Sequence, residues 1–273
     1  MRWLVRPSQA RRTLGTTQQT TSERLVNRVP EVTLVFWILK ILATTVGETA
    51  GDLLSITLKL GTVVTSYIMG ALLIVSLIFQ FRARRYVPPI YWLVVVFISV
   101  VGTLISDNLV DNLGVPLTTT TVIFAVALIA VFVFWYMSER TLSVHTIYNA
   151  KREAFYWAAI LFTFSLGTSG GDLLAERLAV GYAFSALIFA AGIAIIFALY
   201  RTRVMNGVLA FWLAYILTRP LGASLGDLLT QAPADGGLGL GTIPVSAVFL
   251  LVIVVLVTYL TKEEKKKVVV VAG

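Results

Sequence analysis

The chain has 273 residues, of which 58% are hydrophobic and only 13% charged, and its mean hydropathy is +0.86. Soluble domains carry about 25% charged residues, so this composition belongs to a membrane protein. Cysteine is absent and the single histidine, His145, lies in a polar connector, which excludes thiolate chemistry and histidine-clustered zinc sites.

In chain order, the stretch MRWLVRPSQARRTLGTTQQTTSER is rich in Arg, Thr and Gln and lacks a continuous apolar core, so residues 1–28 are expected to be a disordered basic tail rather than a signal peptide. Eight apolar stretches follow, at 31–56, 62–81, 88–110, 117–138, 153–175, 180–200, 206–230 and 242–261. Each is close to the roughly 20 residues that a bilayer demands of a helix. The even stretches, such as YIMGALLIVSLIF, are plain lipid-type helices, whereas the odd ones carry polar residues in their second half. The sequence leaves open whether the odd spans run through their glycines or break there and re-enter. The expected fold is an all-α polytopic bundle of eight transmembrane helices. Residues 29–140 form a first membrane half, 141–152 a connector, 153–262 a second half, and 263–273 a C-terminal tail whose apolar end is too short to span.

Lys and Arg set the orientation. Eighteen of the 22 basic residues fall before the first span, in the connectors from even to odd spans, or after the last span; the opposite connectors keep Lys59 and Arg177. The positive-inside rule then places both termini in the cytoplasm, and the inner (plasma) membrane is the expected location. The net charge of +8 is accounted for by this topology, so nucleic acid is not an expected partner. The lipid bilayer is, and a homo-oligomer stays open.

The odd spans repeat. Each opens on an aromatic pair, Phe36-Trp37, Tyr91-Trp92, Tyr156-Trp157 and Phe211-Trp212. Ten residues after each Trp stands Gly47, Gly102, Gly167 or Gly222, and fifteen after it Asp52, Asp107, Asp172 or Asp227. Four matches without a gap mean internal duplication. Each unit holds two spans, an even number, so every copy enters the membrane in the same direction and the repeats are parallel. The Trp-to-Trp intervals of 55, 65 and 55 residues divide them into two halves of two.

With these features the chain resembles a family of bacterial multi-pass membrane proteins built from four tandem two-span repeats, each with a characteristic Trp. The matching positions are Trp37, Trp92, Trp157 and Trp212, and the resemblance covers about residues 29–262. It implies the architecture and no activity. A partial similarity links GETAGDLL to manganese and calcium exporters with a Glu-x-Gly-Asp core, but one extra residue separates Glu48 from Gly51, and Leu53-Leu54 replace the exporters' basic and hydroxyl residues.

Beyond the span-opening residues Glu31 and Glu153, five acids fall inside the odd spans, Glu48 and the four Asp, joined by the bases Lys40 and Arg219; with these seven ionised the interior carries −3. An Asp at the bilayer centre costs about 2.5–3.5 kcal/mol on insertion scales, so such residues face the bundle interior or water and mark ion paths. Asp52 lies 21 residues after Glu31, about 31 Å along a helix, which puts the Asp set near the outer mouth. Carboxylates and hydroxyls without sulfur or imidazole suit a hard cation, with Glu48, Asp52 and Asp172 as metal ligands. A Gly-Asp pair near a helix end also serves as a cap and turn, and the four Trp suit packing or an interfacial belt. No nucleophile motif, HExxH or phosphate-binding glycine loop occurs, so neither enzyme activity nor a cofactor is expected. The expectation is a secondary transporter of a hard divalent metal such as manganese, or of a proton-coupled solute; the alternative is a cation channel or ligand-sensing bundle with an Asp ring.

Reporter fusions after Arg85, Lys151 and Arg203 should read as cytoplasmic and fusions near Gly61, Gly114, Val180 and Gly236 as external. A cytoplasmic reporter at Gly236 would undo the eight-span topology.

Overall fold

Lipid offers no hydrogen bonds to a backbone, so an apolar span satisfies its own amides by becoming a helix. The computed structural model, which describes residues 27–272, contains eight such helices. They are α1 (Leu34–Asp52), α2 (Thr62–Arg82), α3 (Pro88–Asp107), α4 (Leu117–Glu139), α5 (Ala150–Asp172), α6 (Tyr182–Arg201), α7 (Gly207–Thr230) and α8 (Thr242–Ala272). Polar N-caps start three of the odd helices: Thr33 accepts from Phe36 N, Asn149 from Arg152 N and Asn206 from Leu209 N. Pro88 starts α3, at a position where its missing N–H leaves nothing unpaired. The odd helices run unbroken through their glycines. After Asp52, Asp107 and Asp172 they widen into one π-helical turn (Leu53–Thr57, Asn108–Asn112 and Leu173–Arg177), whereas α7 stays α-helical to Thr230.

Composition sorts the helices into two layers. In the odd spans 56–67% of the most apolar window is buried, in the even spans 17–22%. The odd helices therefore form an inner ring, α1–α3–α5–α7, with α7 packed back on α1, and the two halves close into one bundle. Each even helix lies outside, against the odd helix of the following repeat: α2 on α3, α4 on α5, α6 on α7, and α8 on α1.

Glycine sets the closeness of the inner ring, as small residues do wherever helices associate in lipid. Gly47 faces Ser99, Gly102 faces Phe164, Gly167 faces Arg219 and Gly222 faces Thr44. Each partner stands seven residues after the Trp of the next repeat, and the fourth contact closes on the first repeat. A Cβ on Gly102 would come within 2.6 Å of Phe164 Cβ, and one on Gly222 within 2.6 Å of Thr44 Cβ.

The face carrying both chain ends is stitched together by residues expected in the tail. Asn27 donates to Val144 O at 3.2 Å and accepts from Ile147 N at 3.1 Å, and its carbonyl accepts from Tyr86 N at 3.0 Å. Arg28 pairs with Glu153 at 2.6 Å and donates to Phe81 O at 3.3 Å. The boundary at 28 is thus corrected: backbone and side-chain bonds to the two neighbouring connectors hold Asn27 and Arg28. Residues 1–26 of the expected tail lie outside the described residues. The tail expected at 263–273 continues α8 as helix to Ala272, since nothing in TKEEKKKVVVVA breaks a helix.

Gly102→Ala and Gly222→Ala should each lower stability by about 1–3 kcal/mol through overpacking. Gly70→Ala, whose added Cβ meets nothing within 4 Å, should be neutral or gain about 0.5–1 kcal/mol of helix propensity. Thermal melts of the purified protein in detergent test the contrast.

Candidate ion-binding core

The inner ring carries its candidate side chains in layers along the axis. Nearest the chain ends is an aromatic belt. Phe36 meets Trp92 at 5.8 Å between ring centroids, Tyr91 meets Trp157 at 5.4 Å, Tyr156 meets Trp212 at 6.2 Å, and Phe211 meets Trp37 at 5.8 Å. Each repeat's first aromatic ring packs on the next repeat's Trp, again with closure from fourth to first. Three of the four repeat Trp have indole N–H partners on the chain-end side: Trp92 donates to the Tyr86 hydroxyl, Trp157 to Glu153 and Trp212 to Leu142 O. Burial pushes the Tyr86 phenol above its ordinary range, which keeps it neutral beside Trp92. The Trp residues are thus packing residues, as their amphipathic rings favour.

One layer further in lies Lys40, whose ammonium sits 3.9 Å from the Phe164 ring centroid and 4.2 Å from that of Tyr215 and has no hydrogen-bond acceptor. Beyond it the four helices meet at one guanidinium. Arg219 Nη2, from α7, donates to Glu48 Oε2 on α1 at 2.8 Å, to Thr168 Oγ1 on α5 at 2.7 Å and to Thr103 Oγ1 on α3. Its Nη1 reaches Thr44 O at 3.4 Å. Only a group on the axis can touch the other three helices at once. Glu48, Thr103 and Thr168 occupy the same repeat position, eleven residues after the Trp, where the fourth repeat has Ala223. The side chain of Arg219 is 0% exposed, so the Glu48–Arg219 pair is a buried salt bridge.

The four Asp mark the far end of this core, where α1, α3 and α5 change to π geometry. Asp52, Asp107 and Asp172 are half-buried and Asp227 is buried. The first three make no side-chain cap bond to the π turns that follow them. Among the described residues no hydrogen bond or ion pair reaches any of the four carboxylates. They lie in one another's electrostatic field in ring order, Asp107 with Asp52, Asp172 with Asp107, and Asp227 with both Asp172 and Asp52, and all four lie in that of Glu48. The capping role that a Gly-Asp pair suggests is therefore not what these carboxylates do.

The structure gathers Glu48 and Arg219 with the hydroxyls of Thr103 and Thr168, and sets the Asp residues and Lys40 on either side. It does not assemble a metal cage: among the described residues no three His, Cys, Asp or Glu converge to hold an ion. Of the expected set Glu48, Asp52 and Asp172, Glu48 pairs with Arg219 in this structure. One buried polar cluster escaped the sequence reading. Glu153 is fully buried, with Arg28, Gln80 and Trp157 all donating to it. Its signal was available, since the equivalent positions in the other repeats hold Thr33, Pro88 and Val208, making Glu153 a single-copy acid like Glu48.

A ring of parallel two-helix units around a buried ion pair defines a polytopic membrane bundle of tandem repeats. The model of a repeat family, described as Repeat of Unknown Function (DUF347), matches residues 35–86, 90–141, 155–204 and 210–266, and the chain belongs to this family. Each match begins two residues before a repeat Trp. No curated protein and no solved structure matches the chain.

Glu48→Gln and Arg219→Met should each destabilise the fold by about 3–5 kcal/mol, because each leaves the other charge buried without its partner. The double variant should lose clearly less than the sum. Additive losses in a double-mutant cycle of thermal or denaturant unfolding would show that the pair is not coupled.

Proposed function

We propose that the protein is a secondary transporter that exchanges protons for a small cation through the core of the inner ring. The observation that carries this reading is the set of four carboxylates standing unpartnered at one end of the ring, over a buried Glu48–Arg219 pair. Ionisable groups inside a membrane are expensive to keep and mark ion or proton paths. The Asp set collects a cation, and Glu48 receives it when Arg219 gives way. A proton on the same carboxylates removes the same negative charge, so proton and cation compete for one set of oxygens. With the chain ends in the cytoplasm, as the basic residues favour, the Asp set faces outward and the aromatic belt closes the inner side.

The belt also favours a transporter over the channel reading. A channel needs a continuous path, whereas here interlocked rings and a guanidinium shared by four helices lie across the axis. The single-copy residues Lys40, Glu48 and Arg219 supply the asymmetry that holds one substrate in one pose, and they belong to the first and fourth repeats.

The test is purified protein in liposomes with a pH gradient of either sign, followed by an internal pH dye while sodium, potassium, manganese or an amine is added, with empty liposomes as baseline. At least one cation should dissipate the gradient faster than the baseline, and Glu48→Gln and Asp52→Asn should reduce that rate more than Asp107→Asn. A gradient indifferent to every cation refutes proton coupling, and loss of activity in Asp107→Asn alone refutes the asymmetric site.

A further inference from the structure

We propose that Glu48, Thr103 and Thr168 form a binding site for a primary ammonium group, in which Arg219 is a tethered occupant. This deepens the transporter reading by naming the class of cation, and it rests on that reading only for the fate of the bound ligand.

Donor counting leads to this. The Nη2 of Arg219 has two N–H bonds, yet three oxygens from three helices converge on it: Glu48 Oε2, Thr103 Oγ1 and Thr168 Oγ1. The hydroxyls cannot supply the missing donor, because each spends its only proton on its own helix. Thr103 Oγ1 donates to Ser99 O at 3.2 Å and Thr168 Oγ1 to Phe164 O at 3.3 Å. Both hydroxyls therefore present lone pairs to the axis. Three acceptors meet two donors, while the same guanidinium keeps its buried Nε without any acceptor. The nest and its occupant are mismatched on both sides.

A primary ammonium matches where the guanidinium does not. It has three N–H donors on one atom and no acceptor, one for each converging oxygen. Once Arg219 has left, the ammonium's single positive charge balances the single carboxylate. A quaternary ammonium has no N–H to offer, and a hard divalent ion demands six or more oxygens, which three convergent acceptors do not provide. On the chain-end side, Lys40 and the Phe164 and Tyr215 rings close the interior, so the substituent on the bound nitrogen points toward the Asp carboxylates. Arg219 stands in for the ligand in its absence, and its Cζ lies 5.8 Å from the centroid of the Phe164 ring that Lys40 also approaches.

The test is thermal unfolding of the purified full chain carrying Arg219→Ala, at constant ionic strength, with methylammonium, guanidinium, sodium or tetramethylammonium added. Methylammonium should raise Tm by about 2–4 °C at several times its Kd. Guanidinium and sodium should do less and tetramethylammonium nothing, and the shift should vanish when Glu48→Gln or Thr168→Val is added. A guanidinium effect larger than that of methylammonium overturns the proposal and makes Arg219 a structural strut. Equal effects of sodium and methylammonium overturn it in favour of an unspecific charge site. Should Arg219→Ala fail to fold, the wild-type chain decides: methylammonium must still raise Tm above tetramethylammonium, and Thr103→Val with Thr168→Val must erase the difference, whereas equal shifts in the wild type overturn the site. Because binding is read without flux, a failed liposome assay beside a positive shift removes only the transporter reading, and the reverse removes only the ammonium site.

Discussion

The structure turns on one guanidinium. Arg219 projects from α7 to the axis and is held by oxygens from α1, α3 and α5, so a single side chain ties the four inner helices together. A charge can persist there only because Glu48 neutralises it and the threonines accept its hydrogen bonds; removed from water without them, it would cost more than the fold can supply. The close approach that lets one group reach three other helices depends in turn on Gly47, Gly102, Gly167 and Gly222. At each of these a Cβ would collide with the next helix, so the glycine ring and the central charge are parts of one arrangement.

Repetition builds the frame and departures from repetition build the site. The glycine contacts, the aromatic belt and the even-on-odd helix packing each pass from one repeat to the next and close from fourth to first. A frame of that kind has four equivalent walls and nothing to orient a ligand. The single-copy residues break the equivalence: Arg219 where the other repeats carry Thr44, Ser99 and Phe164; Glu48 where they carry Thr103, Thr168 and Ala223; Lys40 where they carry Val95, Ile160 and Tyr215. At the face of the chain ends, Arg28, Gln80 and Glu153 form a second buried polar cluster. Beyond the Asp set, three repeats carry a π-helical turn and the fourth does not, which makes even this end of the ring unequal.

Much of this was legible along the chain. Eight spans, four parallel repeats and the sorting of odd from even helices follow from the length of apolar runs and the spacing of Trp, Gly and Asp, because lipid thickness and helix rise leave few other solutions. The identity of the intramembrane charges was legible too, since an acid or base stands out against 58% hydrophobic residues. What spacing does not contain is distance across the bundle. Glu48 and Arg219 are 171 residues apart in the chain, and only ring closure makes them neighbours. The same closure turns Glu48 toward Arg219. It also draws Thr103 and Thr168 to the axis, although as isolated residues they look like two of many helix hydroxyls.

By itself, then, the sequence determined the class, the span count, the parallel relation of the repeats and the inventory of charges, all of which depend on local hydropathy and on period. The tertiary structure alone decided which charge pairs with which, that the Asp carboxylates stand without partners, and that Asn27 and Arg28 belong to the folded part. These depend on contacts between segments far apart in sequence, made when four helices close around glycine at a separation no linear pattern records.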